Sequence, residues 1–298
     1  MELKFSTLLT ESNRTTVQIS NHLSKLTVNP KRGGAIDELV LNGRTIIQPM
    51  EGLGYESSLL FPFPNRLAEG KFSFQGQSFE LPQNDDGRPN ALHGLVHDKA
   101  FEVTSSSESS VTLVYNYDGS LPYFPFPYSL QVTYTLEATS LEMNVTAKNT
   151  GNQMMPWGFG WHPYFLVEKV DECALQLPKV NKIHADDMLL PNGKITEENT
   201  YNTATQIKET EFDTCFKLSD KQGLNHTHLY YPDGGLLDIW QEDLFPFIQV
   251  YTPADRKTIA IEPMTCGVNA FNSGDELKFL DSGNDWSMRF GLTYNGVE

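Results

Sequence analysis

The chain has 298 residues, 39% of them hydrophobic, and a net charge of −16 from 22 basic and 38 acidic side chains. That composition can build a sizeable core, but its apolar runs are too short and interrupted for a membrane-spanning helix. The acidic balance repels nucleic acid and anionic lipid, so a neutral small molecule is the simplest expected partner.

The opening segment carries Lys4, lacks an apolar stretch and reaches Glu11 early, unlike a secretory signal, so a cytoplasmic location is expected. Cys173, Cys215 and Cys266 are too scattered for a disulfide framework, and without a CxxC pair no structural zinc is expected.

Strand signals dominate the chain. Residues 71–81 read as a strand bent at Gly76, and residues 101–117 as another strand. Residues 130–136 alternate strictly, with Leu130, Val132, Tyr134 and Leu136 on one face. After a polar turn the alternation resumes at Leu141, Met143, Val145 and Ala147, which predicts an antiparallel hairpin. Residues 247–251 form a further short strand. Turn signals punctuate these runs at Asn42-Gly43, Asp118-Gly119, Asn192-Gly193, Asp233-Gly234-Gly235 and Asp281–Asn284. Helical periodicity is never sustained. The expectation is an all-β protein, a large antiparallel β-sandwich, forming one domain over residues 1–298.

Four polar clusters fall outside the alternating strands, among Gly, Pro and aromatic residues: 61–66, 89–94, 157–165 and 261–272. In the last, Thr258–Ile261 is apolar, Glu262 follows, and Pro263 is expected to end the pairing. A carboxylate at such a strand end, under an apolar wall, should bind its proton tightly and suit a general base near neutral pH. A structural glutamate bonded to backbone or arginine fits the same residues. His162, between Trp161 and Pro163, suits proton delivery beside an apolar sugar face, or a core histidine satisfied by a carbonyl. His93 precedes Gly94, which allows a special turn. Arg66, after Asn65, suits either a ligand hydroxyl or a loop ion pair.

Metal ligation finds less support. His93 and His97 have helical spacing, but Gly94 argues against a helix there. His226 and His228 share a strand face, yet no acid at convincing spacing completes a site, Glu242 and Asp243 lying well downstream. No metal and no phosphate-binding glycine loop is expected.

Taken in order, Asn65-Arg66, His93-Gly94, His162-Pro163-Tyr164-Phe165 and Glu262-Pro263-Met264-Thr265 resemble the motifs of the aldose 1-epimerase family, galactose mutarotase type. Residues 65–71, 79–82, 212–216 and 248–252 agree, and the resemblance runs from about Gly33 onward. It implies a supersandwich fold with an open cleft on one sheet. It further implies that Glu262 is the base on the anomeric hydroxyl and His162 the acid on the ring oxygen. Asn65, Arg66, His93, Asp213 and Gln249 would bind or support the sugar. The expected reaction interconverts the α and β anomers of a free hexose such as galactose or glucose. Each group ends a half-reaction in the state needed for the reverse transfer, so no cofactor is expected. A monomer or homodimer is expected. Three readings stay open: a hexose-6-phosphate epimerase, in which Arg32 or Arg88 receives the phosphate; a non-catalytic carbohydrate-binding protein; and a glycoside hydrolase with Asp213 and Glu262 as its carboxylate pair.

Overall fold

The computed structural model describes residues 8–9, 16–50, 52–220 and 223–296. The opening segment read for a secretory signal lies largely outside them.

Two large antiparallel sheets dominate the described residues. The first has nine strands, and the predicted hairpin supplies its third and fourth. Tyr128–Leu136 pairs with Ser140–Asn149 so that Leu130 faces Ala147, Val132 faces Val145, Tyr134 faces Met143 and Leu136 faces Leu141. All eight of these side chains are buried, because strict alternation turns one face to the core. The polar face carries cross-strand pairs such as the Thr112–Thr133 hydroxyl contact at 2.9 Å. Asp285–Asn295 pairs on the other side of Ser140–Asn149, and Leu236–Glu242 and Leu224–Tyr230 follow outward.

The second sheet has eight strands and carries much of two of the polar clusters, those at 157–165 and 261–272. Its order is Pro191–Glu198, Val180–Ala185, Asp213–Leu218, Phe247–Tyr251, Thr258–Met264, Gly160–His162 and Ser58–Leu60, with Tyr164–Leu166 also pairing Thr258–Met264. Ile248, Val250, Ile259, Ile261, Trp161, Phe165 and Phe216 belong to the main apolar core. Thr258–Met264 is buried at every position, which fits its near-continuous apolar run. A smaller cluster of Ile183, Cys215, Phe247, Met264 and Val268 packs separately.

The structure corrects three local expectations. Residues 71–81 form a two-stranded hairpin, Lys71–Phe74 and Gln77–Glu80. Gln75 and Gly76, at φ +48° and +78°, make the two-residue turn where a bent strand was expected. Residues 101–117 divide into Glu102–Ser106 and Ser110–Tyr117 around a serine turn held by Ser107. Glu262 is not at a strand end: pairing continues through Pro263 opposite Ile248 and Met264 opposite Phe247. On the opposite side, Ala260 pairs Tyr164 and Met264 pairs Gly160, with no partner between. Pro263 falls in that interruption, where its missing N–H is tolerated.

Candidate active site

The register of the eight-stranded sheet assembles the chemistry. Cys215 lies opposite Gln249, and Gln249 opposite Glu262. Because Gly160 pairs Met264 and Tyr164 pairs Ala260, His162 falls level with Glu262 across the interrupted ladder. A second row, two residues along, aligns Asp213, Tyr251, Ala260 and Tyr164. Side chains level with one another project from the same face, so the two rows form one polar floor. His162 Nε2 lies 3.4 Å from Glu262 Oε1, and both side chains are buried.

The wall comes from two loops that brace each other. Arg66-Leu67 and Ala91-Leu92 form a short ladder. Beyond it, His93 N–H donates to Asn65 O at 2.9 Å, and Asn65 N–H donates to His93 Nδ1 at 3.2 Å. Asn65 and His93 adopt left-handed conformations, φ +56° and +62°, tolerable for these residue types. Gly94 follows at φ +71°, and a Cβ there would lie 2.3 Å from Phe61 O, so only glycine fits. Accepting at Nδ1 assigns the His93 proton to Nε2. Asn269 supports the loop from outside: its N–H donates to Arg66 O at 2.8 Å, and its side chain accepts from Ala68 N–H at 3.0 Å.

Floor and wall enclose a cavity of about 360 Å³ lined by Tyr55, Asn65, Arg66, Arg88, His93, His162, Tyr164, Asp213, Gln249, Tyr251 and Glu262, with Gly54, Leu92 and Leu189. This is a suitable size for a small ligand. All seven site residues expected from the sequence meet here. The sequence reading did not assign Tyr55, Tyr164, Tyr251, Asp85 and Asn269. Tyr164 stood within the quoted motif, and its place two residues from His162 was the available signal. Arg88 lines the cavity, whereas Arg32 does not; Arg32 is held by Asp37 at 2.6 Å and by Glu56 O at 2.9 Å.

The electrostatics follow from burial. Burial holds the Glu262 carboxyl well above the usual carboxylate range; the Asp213 charge adds to this and Arg66 opposes it. Burial pushes His162 down to about 4, and Arg66 adds to the effect. Burial likewise holds His93 well below its ordinary value, helped by His162 and Arg66. Each member of the Glu262–His162 pair therefore favours its neutral form, while their contact favours the ion pair. Both forms hold one proton, which the pair titrates jointly. Glu262 Oε2, Gln249 Oε1 and His162 Nδ1 are buried without a hydrogen-bond partner among the described residues. Arg66 Nε donates to Asp85 Oδ2 at 2.9 Å, and Asn90 donates to the same oxygen at 2.9 Å. Gln249 Nε2 donates to Asp213 Oδ1 at 2.7 Å. The rings of Tyr55 and His93 pack 4.6 Å apart, and those of Tyr164 and His162 4.8 Å apart.

His97 does not join His93 as a ligand pair. Its ring packs on Tyr55 at 4.8 Å, and it lines a separate cavity beyond the 91–97 loop. His226 and His228 do have an acid beside them, contrary to the expectation from spacing: strand pairing brings in Asp238, on the other sheet from the cleft.

No helix among the described residues is long and apolar enough to cross a membrane. The uncharacterized protein YihR of Escherichia coli (strain K12) is 32% identical over 276 residues, covering 87% of each chain. Galactose mutarotase of Mus musculus is 24% identical over 251 residues, covering 77% of this chain and 71% of the mouse protein. The solved structure of a galactose mutarotase-like protein from Clostridium acetobutylicum superposes with a TM-score of 0.87 over 99% of both chains at 19% identity, which establishes the shared fold. The sequence model of the family described as aldose 1-epimerase matches residues 14–293, and the chain thus belongs to that family of isomerases, whose substrates are small sugars.

Proposed function

We propose that this protein is a mutarotase that interconverts the α and β anomers of a free hexose such as glucose or galactose, acting as a single cytoplasmic domain. The observation that carries this reading is the buried Glu262–His162 pair at 3.4 Å in the cavity floor. Ring opening removes a proton from O1 and adds one to O5. Glu262 takes the first, using Oε2, the oxygen left without a hydrogen-bond partner among the described residues, and His162 delivers the second from Nε2. After opening, Glu262 is protonated and His162 neutral, the charge state that burial favours. The C1–C2 bond then rotates, and the aldehyde recloses from its other face as the two transfers reverse. General acid–base assistance of this kind is worth about 10²–10⁴-fold per group. Arg66, with His93 Nε2–H, holds the ring-oxygen side, while Asp213 and Gln249 accept and donate to the remaining hydroxyls. Pre-positioning by these residues lowers the barrier further. Tyr55, Tyr164 and Tyr251 offer ring surface to the sugar's C–H faces.

The placement of Arg88 favours a second reading. It lines the cavity and is one-third exposed, reaching Asp187 O only at 3.5 Å and Asp85 Oδ1 at 3.8 Å. An arginine so lightly held can receive an anionic group at the far end of a sugar. Anomer exchange measured by NMR on glucose, galactose and their 6-phosphates separates the readings. The free-hexose reading expects fast exchange of the neutral sugars, little changed in Arg88→Ala. Preference for a 6-phosphate, lost in that variant, would replace it with the phosphorylated substrate class.

A further inference from the structure

The nine-stranded sheet carries a polar cluster that the catalytic chemistry does not use. In the ladder between Leu224–Tyr230 and Leu236–Glu242, His228 lies directly opposite Asp238. Thr227 and Leu229 point into the core at 1% and 0% exposure. His226 and His228, on the alternate face, therefore project outward together. Two imidazole nitrogens converge on one carboxylate: His226 Nδ1 lies 2.9 Å and His228 Nε2 3.4 Å from Asp238 Oδ1. The three ligand atoms all fall within 4.8 Å of one another. In a tetrahedral site with bonds of about 2.0–2.1 Å, ligand atoms stand about 3.3 Å apart. The His228–Asp238 edge already has that length, the His226–Asp238 edge needs to open by a few tenths of an ångström, and the edge between the two imidazole nitrogens lies within 4.8 Å, within reach of side-chain rotation. His228 Nδ1 has no hydrogen-bond partner among the described residues, so the ring makes its polar contact through Nε2.

We propose that His226, His228 and Asp238 form a three-ligand site for a divalent transition cation of the zinc class, on the outer face of the sheet opposite the catalytic one. Two imidazoles and a single carboxylate select zinc, nickel, cobalt or copper over magnesium and calcium, which prefer oxygen-rich sites. The next side chain across the sheet, Gln176, is already engaged by the Tyr230 hydroxyl at 2.9 Å and by Asn202 O at 3.3 Å. Water is therefore the natural fourth ligand, on the solvent side.

Calorimetric titration of the full chain with zinc chloride, beside magnesium chloride, tests the site. One zinc per chain is expected, with no magnesium heat. His228→Ala and Asp238→Asn should each weaken zinc binding by at least about tenfold, since losing even an outer-shell partner costs about 10–100-fold. Unchanged far-UV circular dichroism checks that these substitutions at half-buried positions leave the fold intact. Zinc should also raise the melting temperature of the parent chain but not of the doubly substituted His226→Ala/His228→Ala chain. Glu262→Gln, in the other sheet, should bind zinc like the parent. Absence of zinc binding, binding unaltered by the His228 and Asp238 substitutions, or binding lost in Glu262→Gln would overturn the proposal.

Discussion

Glu262 is the residue whose environment departs furthest from that of an ordinary carboxylate. Its carboxyl sits in a fully buried strand, beside Asp213 and against His162. The unfolded chain ionises this group above its ordinary value of 4.5, while the folded chain retains the proton to higher pH. Folding stability contributed by this group therefore falls as pH rises above 4.5. His162 acts in the other direction: the unfolded chain protonates it below 6.5 and the folded chain only near 4, so stability is lost as pH falls through that window. Glu262→Gln removes the carboxyl's part of this joint titration. Its melting temperature relative to the parent should climb between pH 4.5 and pH 8, measured by calorimetry; a difference independent of pH would show that burial does not raise this carboxyl. Arg66 presents a different case. Its side chain and that of Asp85 are 13% and 5% exposed, so Arg66→Ala strands a buried carboxylate, at a cost of about 3–5 kcal/mol. The remaining Asn90 hydrogen bond places the expected loss at the lower end. Urea denaturation should show this loss, and steady-state kinetics a higher KM. The motif residues themselves were legible in the sequence because each combines a polar group with Gly, Pro or aromatic neighbours. Asp85 was not, because a carboxylate among Asn84, Asp86 and Gly87 reads as an ordinary turn, and only the fold brings it to Arg66.

At the scale of elements, the site is a consequence of register. Strand alternation predicts which residues share a face, and for the hairpin Tyr128–Leu136/Ser140–Asn149 it gave the buried face correctly. It does not predict which strands become neighbours. Gln249 meets Glu262, and Asp213 meets Tyr251, through pairings the sequence does not encode locally. For the same reason Asp238, ten residues beyond His228, escaped notice until the ladder placed them opposite one another. Pro263 misled in the opposite sense: its effect depends on whether a partner strand is present, and here the ladder is interrupted on one side. The loop pair 65–66 and 91–94 sets His93 through backbone conformation. Gly94→Ala would force a Cβ to 2.3 Å from Phe61 O at a left-handed φ. The conformational cost alone is about 1–2 kcal/mol, and the clash adds to it. Urea denaturation should show at least that loss, and kinetics should show reduced turnover from a displaced His93; parental values would mean the loop relaxes without moving the histidine.

At the scale of the molecule, the charge of −16 surrounds a cleft that also holds Arg66 and Arg88. A neutral hexose does not feel the long-range field, so kcat/KM for glucose or galactose should be insensitive to sodium chloride, changing less than about twofold across the range where the Debye length shrinks from about 30 to 8 Å. A steep salt dependence with an anionic sugar as the better substrate would point to Arg88 as its receptor. The all-β architecture was legible from alternation and turn chemistry alone, because both are local. The sandwich expected from that pattern is present, but the strand order within its two sheets and the interior position of the Glu262 strand were not legible, because they depend on long-range pairing.

Glu262 and His162 are proposed to perform anomer exchange as an acid–base pair. Polarimetry of freshly dissolved α-D-glucose and α-D-galactose, with the parent chain beside Glu262→Gln, tests it most directly. The parent should accelerate mutarotation of at least one sugar and the variant should lose about 10²–10⁴-fold of that rate, with the fold intact by circular dichroism. A variant that retains near-parental rates would contradict that role for the pair.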